Sequence, residues 1–314
     1  MDESPAERRR VGGALLAVMV LAAVALAWPR GRGGGPMAQA TPTVRPGHRG
    51  PAHAGALVPR EARSVLRLDV AAMRRAPAFA PWFEAVRAGD DPCAGALGDR
   101  VTGLVVVWTS TAVEDFALLA DGPVDEATFR RCAGPRRGET FDVQQRIEAG
   151  VPVLALAARP SGDGGGGRST RAETWRLPAG VVALGPPEAL RAMLIEAAAH
   201  PDATAVTPDL AGLWAEVPPG ALVAGVRRLS PEPALGPALA HALAVSAWVG
   251  ADGGATVLEA AVRCDGAAGA TAVAAALAGA RRALPDLTAR AEDDRVRVRA
   301  TLDPAALGRL FGPS

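Results

Sequence analysis

No lysine, tyrosine or asparagine occurs anywhere in the 314 residues, and isoleucine appears only at Ile147 and Ile195. All four residue types have AT-rich codons, so the simplest source of the bias is a very GC-rich genome. Arginine in place of lysine is therefore no sign of bidentate anion recognition here. Aromatic residues make up only 4% of the chain, and it holds three cysteines and four histidines. That inventory excludes a disulfide-dense scaffold, and no dedicated metal site is expected from so few ligands. Strong net charge is missing too: 34 basic residues face 33 acidic ones, which removes the basic field that nucleic-acid binding needs. Neither a nucleic-acid partner nor a cofactor is expected.

What is present first is an apolar run. Residues Val11 to Trp28 (VGGALLAVMVLAAVALAW) contain no charge, and as a helix they span roughly 27 Å. Arg8, Arg9 and Arg10 precede the run, and Trp28 stands where an interfacial aromatic belongs. Ala25-Leu26-Ala27 has the small-x-small form of a cleavage site, so a cleaved signal peptide competes with an uncleaved anchor. The length of the run favours the anchor. The expectation is a cytoplasmic residue 1–10 segment, an inner-membrane helix over 11–28, and the large remainder in the periplasm. Pro29 to Arg60 is rich in Pro, Gly and small residues without apolar period, and reads as a disordered tether reaching roughly 30 Å. His48 and His53 within it read as incidental.

From residue 61 the pattern becomes regular. Strands are expected at Ser64–Leu68, Val101–Ser110, Asp115–Ala120, Thr140–Glu148, Val151–Arg159, Glu173–Leu177 and Val181–Leu184. A helix from Val70 towards Ala88 must be interrupted by Pro77 and Pro81; others are expected over Val124–Cys132 and Glu188–Ala199. The remainder repeats this order. Strands at Ala221–Leu229, Val245–Gly250, Thr256–Arg263, Leu287–Glu292 and Arg295–Thr301 alternate with helices at Gly236–Leu243, Ala270–Leu284 and Ala305–Phe311. Two halves, 61–200 and 201–314, thus each read β-α-β-β-α-β-β-α, an internal duplication with an extra strand pair in the first. Consecutive hairpins give an α+β class: antiparallel sheet with helices on one face.

Cys93 and Cys132 bracket one β-α-β-like stretch, and a bridge would close a loop worth roughly 4 kcal/mol of chain entropy. Such a bridge fits an exported domain; the other reading is two small buried hydrophobes that never meet. Cys264 is left over, as a buried free thiol. The strings VLRLDVAAMRRAP, DFALLADGPVDEATFRRCA and GVVALGPPEALRAML resemble a group of uncharacterised exported proteins of high-GC Gram-negative bacteria. The match spans about Ser64–Ala199. It implies an exported domain with Cys93 and Cys132 paired, and it brings no catalytic residues.

Candidate chemistry is thin. The Gly-rich run Gly162–Ser169 lacks the lysine and helix of a phosphate loop. Ser246 stands in no nucleophile elbow, remote in sequence from His200 and His241. Asp90-Asp91 and Asp293-Asp294 sit in turns and point to solvent. Arg295, Arg297 and Arg299 alternate with apolar residues, so one strand face carries three guanidiniums: an anion-binding stripe, or a solvated face balanced by acids nearby. Trp82, Trp108, Trp175, Trp214 and Trp248 read as core. The expectation is a non-enzymatic, membrane-tethered envelope module that binds another protein or an envelope component, with an envelope protein or a lipid as the expected partner. The alternative is a periplasmic carrier or sensor whose sheet encloses an apolar ligand.

Overall fold

A computed structural model of the chain describes residues 53–81, 83–84, 99–109, 116–132, 141–158, 172–200, 208–229, 239–252, 254–282 and 286–302. The 11–28 run, Cys93 and the 305–311 helix lie outside the described residues. Among the described residues no helix is long and apolar enough to cross a membrane.

The described chain divides into two compact units, one holding residues 53–71 and 83–200, the other 72–81 and 208–302. In the first, seven strands form: β1 (Ser64–Leu68), β2 (Gly103–Trp108), β3 (Phe116–Asp121), β4 (Phe141–Glu148), β5 (Val151–Ala158), β6 (Glu173–Arg176) and β7 (Val182–Gly185). They run β1-β2-β3-β7-β6-β5-β4, antiparallel throughout. In the second, β8 (Val223–Arg228), β9 (Ala242–Asp252), β10 (Ala255–Cys264), β11 (Thr288–Glu292) and β12 (Arg295–Leu302) run β8-β9-β10-β12-β11, again antiparallel. In each sheet the third strand pairs with the last one made, and the penultimate strand lies outside it. The extra pair, β5 and β4, is added beyond β6.

Among the described residues, five α-helices with full bounds accompany them: α1 (Val70–Arg75), α2 (Glu126–Cys132), α3 (Pro187–Ala199), α4 (Pro208–Trp214) and α5 (Ala267–Ala278). Pro77 stops α1, which resumes as a single 3-10 turn over Pro77–Phe79. Ala-rich α5 is built mainly from the strongest helix former, and Ala270, Val273, Ala274 and Leu277 bury one stripe of it. That stripe packs on Val245, Val262, Val296, Val298 and Ala300, one face of the β9-β10-β12 sheet.

The expectation of helices on one face is corrected. Trp214 of α4 packs on Ala224 and Trp248, which alternate with Val223 and Val249 and so belong to the face opposite α5. The first unit does the same. Phe129 of α2 covers Leu154 and Leu156, whereas Arg191 of α3 reaches Glu148 on the other face. The reason is visible in the strands: β9 is buried at six consecutive positions, so both its faces need cover.

A second difference concerns the tether. Residues 54–57 form a 3-10 turn with Ala54 and Leu57 buried. The Ala54 amide donates to Asp121 Oδ1 (2.6 Å), and the Arg60 amide to Glu196 Oε1 (2.7 Å). Order therefore begins before residue 61, because two small apolar side chains and two amides find partners in the body.

Asp125 caps α2: its Oδ1 accepts from the Thr128 amide (2.7 Å), and the Thr128 hydroxyl donates to Oδ2 (3.1 Å). The amide bond is the main reason its carboxyl sits below the usual 3.8. A depressed carboxylate stabilises the fold above its unfolded value, and that contribution is lost as pH falls through the folded one. Asp125→Ala should therefore lower the thermal midpoint at neutral pH, with the two chains converging as the pH drops below about 4. Melts across that range check it; a constant gap down to the most acid point would reject the cap as the source.

Candidate functional site

Three side-chain groupings could carry function, and each is set by strand alternation. The first is the arginine row. Arg295, Arg297 and Arg299 project from one face of β12, opposite the buried Val296, Val298 and Ala300. Glu216, just past α4, pairs with both Arg295 and Arg297. Asp294 and Glu292 stand 3.8 and 3.7 Å from the same two guanidiniums. Arg299 is paired with Asp252 and Glu259, and the Asp252 hydrogen bond is the main reason its guanidinium is held above the usual value. Arg290 and Arg263 stand opposite Arg297 and Arg295 on the same face, so five carboxylates balance five guanidiniums, and the row is a neutral ion-pair surface with its three guanidiniums already engaged. The turn acids were readable from sequence. Glu216, Glu259 and Asp252 come from other elements and were not.

The second grouping lies where β4, β6 and α3 meet. Arg146 stands between Glu148, two residues on along β4, and Glu173 of β6. Its Nε is 2.7 Å from Glu148 Oε1, an ion pair without hydrogen-bond alignment. Glu148 Oε2 accepts from Arg191 Nε at 2.7 Å, which raises the Arg191 guanidinium above its ordinary value. Trp175, fully buried, donates Nε1–H to Glu173 Oε2 (2.7 Å), and the Arg146 guanidinium lies 5.3 Å from its ring centroid. Two arginines and two glutamates cancel, so the cluster locks β4, β6 and α3 together rather than presenting a charge.

The third is at the start of α5. His241 Nδ1 lies 2.9 Å from Asp265 Oδ2, beside Cys264. Cys264 is buried, and burial pushes its thiol up to about 11. Hardly any thiolate exists at neutral pH, which makes it a poor nucleophile. Iodoacetamide should leave Cys264 unmodified in the folded chain and alkylate it after denaturation, as read by peptide mass shift. Equal labelling in both states would remove the buried-thiol reading.

The remaining sequence candidates scatter. Ser246 is buried on β9 with no partner for its hydroxyl, so no hydrogen bond joins it to His241, which pairs through Nδ1 with Asp265. His53 Nδ1 accepts from the Ala56 amide (3.2 Å), a capping role. Asp293-Asp294 makes the β11–β12 turn, with Asp293 at φ 52°. Trp175 and Trp248 are buried and Trp214 packs on the latter. Cys132 closes α2. Its expected partner Cys93, like Trp82, His48, Asp90-Asp91 and Gly162–Ser169, lies outside the described residues.

What sequence reasoning missed is the outer edge of β4. Among the described residues β4 pairs with β5 on one side only. Val143, Gln145 and Ile147 share the face that α2 covers further in, but here they are exposed, Val143 by 41% and Ile147 by 75%. The only isoleucine in any described strand is thus turned to solvent. The period-2 pattern of FDVQQRIE was legible, but not the end of the sheet at which it falls.

No family model matches the chain, and no curated protein sequence does. Solved structures do share its fold. Crystal form I of TP0453 superposes with a TM-score of 0.52 at 13% identity, covering 87% of this chain and 100% of that one. Crystal form III gives 0.51 at 12% identity, covering 82% and 97%. The chain is an α+β protein, mostly antiparallel sheet, similar in fold to TP0453.

Proposed function

We propose that the protein is a membrane-tethered envelope module that works by binding and not by catalysis. The observation that carries this is the order of parts: eighteen uncharged residues at 11–28, a Pro/Gly-rich stretch, then the two sheet units. The charged side chains support it. Arg146, Arg191, Arg295, Arg297 and Arg299 are each committed to carboxylates of the chain itself, which suits scaffolding more than acid-base chemistry. An inner-membrane anchor with both units in the periplasm belongs to the same reading, as does kinship with the exported proteins the sequence resembles. So does descent of both units from one ancestral β-α-β-β-α-β-β-α segment, which the shared strand order supports.

Fusing alkaline phosphatase after Ser314 and extracting membranes with alkaline carbonate tests the reading. It expects an active reporter retained in the membrane pellet. An inactive reporter would place the units in the cytoplasm and end the proposal; an active but freely soluble one would mean the run is cleaved. Native mass spectrometry of the same full-length chain would show a retained lipid-sized adduct if the carrier reading were the true one.

A further inference from the structure

Each unit places a helix soon after its third strand. Asp121-Gly122 leads from β3 towards α2, and Asp265-Gly266 leads from β10 into α5, with the two glycines at φ +155° and +150°. What the helices cover differs. Three residues before each aspartate, Leu118 of β3 stands in a cross-strand row with Val106 and Leu184, and Val262 of β10 in a row with Val245 and Val296. The second row is fully buried beneath α5, which is 12 residues long. The first is only half-buried. Its helix α2 has 7 residues, about 7.5 Å less helix, and Phe129 carries it over Leu154 and Leu156 instead. Leu104, Trp108 and Phe116 on the same face are half-buried too, whereas Val105, Val107, Ala117 and Leu119 on the opposite face are closed off.

A cation stands at the margin of this open strip. Arg176 of β6 lies opposite Val182 of β7, and its Nε donates to the Val124 carbonyl (2.8 Å) ahead of α2, which puts the side chain on the same face. That engages one of five N–H donors. Arg100, Arg146 and Arg191 are paired with acids, but among the described residues Arg176 has no carboxylate partner. Asp125, the acid next to Val124, is taken up by Arg100 and the Thr128 amide. We propose that this strip binds a free fatty acid, with the carboxylate on the Arg176 guanidinium and the acyl chain laid across Leu184, Leu118 and Val106. From β6 to β2 is three strand spacings, about 14 Å of apolar surface ending in a single guanidinium, which matches one chain with one anionic head. A neutral apolar ligand would leave the cation unanswered. The site supplies a ligand to the binding reading above, on which it rests, but it uses no part of residues 11–28. A cytoplasmic or cleaved outcome for that run leaves the site standing.

The test uses the full-length chain in phosphatidylcholine nanodiscs, irradiated with dodecanoate carrying a diazirine at its methyl end, with labelled peptides mapped by mass spectrometry. The label should fall on β2 and β3, and excess plain dodecanoate should remove it. Arg176→Gln should lower labelling at sub-saturating probe about tenfold, the scale of a hydrogen bond to a charged group, and Arg176→Lys should restore most of it. Dodecanol with the same diazirine should label the same strands equally in the parent chain and in Arg176→Gln, which also shows that the variant is folded. Loss of both labels together would make Arg176 a structural residue and overturn the head-group assignment. Even labelling of both units would mean partition without a site and overturn the proposal. Retained phosphatidylcholine in native mass spectra, with no dodecanoate label, would overturn the choice of a free fatty acid.

Discussion

Arg146→Met is expected to lower the stability of the β1–β7 unit by about 3 kcal/mol, the scale of breaking a buried ion pair from one side. Methionine matches most of the volume, so packing is nearly conserved and the loss isolates the charge. Without the guanidinium, Glu148 and Glu173 lose the cation they share, and Trp175 loses the one stacked near its ring. Glu148 keeps Arg191 and Glu173 keeps the Trp175 N–H, which holds the cost near the lower end of the range. Arg146→Lys should recover only part, because a single ammonium cannot span two carboxylates and a ring. Adding Glu173→Gln to Arg146→Met should restore part of the loss by removing one of the stranded charges. Urea melts with an unchanged slope check this. A loss below about 1 kcal/mol would mean the cluster behaves as an ordinary surface ion pair.

Gly122→Ala should cost about 4 kcal/mol, combining backbone strain with overpacking. Gly122 directly follows β3 with φ at +155°, and a methyl group there would overlap the Arg100 carbonyl oxygen and come within 2.9 Å of Val101 Cα. Both obstacles are backbone, so no rotamer change relieves them. The Gly122 carbonyl also accepts from the Val124 amide (2.8 Å), which sets the approach to the Asp125 cap and α2. Chemical melts of the variant should show the loss, and its far-ultraviolet spectrum should weaken at 25 °C if the unit is marginal. Gly212→Ala, on the exposed side of α4 with open space around it, is the control and should be neutral or slightly stabilising. Comparable losses in both would discard the close-approach argument.

Hairpins proved easy to read. Ser64–Leu68 is β1 to the residue, and Ala149-Gly150 turns β4 into β5 with both residues at positive φ. Helices were harder, because alanine dilutes the apolar stripe that marks their faces. The helix expected over Ala270–Leu284 begins at Ala267 and gives way at Gly279 to a 3-10 turn. Pro208–Trp214 went unrecognised: seven residues with a proline and a glycine carry almost no periodic signal. Its position opposite α5 follows from Trp248 and Ala224 needing cover, which only the pairing of β8 with β9 reveals. The balance of the arginine row was hidden for a similar reason. Glu216 and Arg295 are remote in sequence, and only the packing of α4 brings them together. The bare edge of β4 depends on strand order, which no local pattern encodes.

The placing of the last strand beside the third has a consequence for synthesis. A chain emerging from the ribosome makes β3 long before β7, the strand that covers its open side. Until Val182–Gly185 has emerged, β3 offers Phe116–Asp121 to whatever strand is near, including those made in between. The β10 strand waits less: 30 residues separate Cys264 from Arg295, against 60 between Asp121 and Val182. Nascent chains therefore expose the first unit to mispairing for longer than the second, and holding chaperones should engage it most while β4 to β6 are being made.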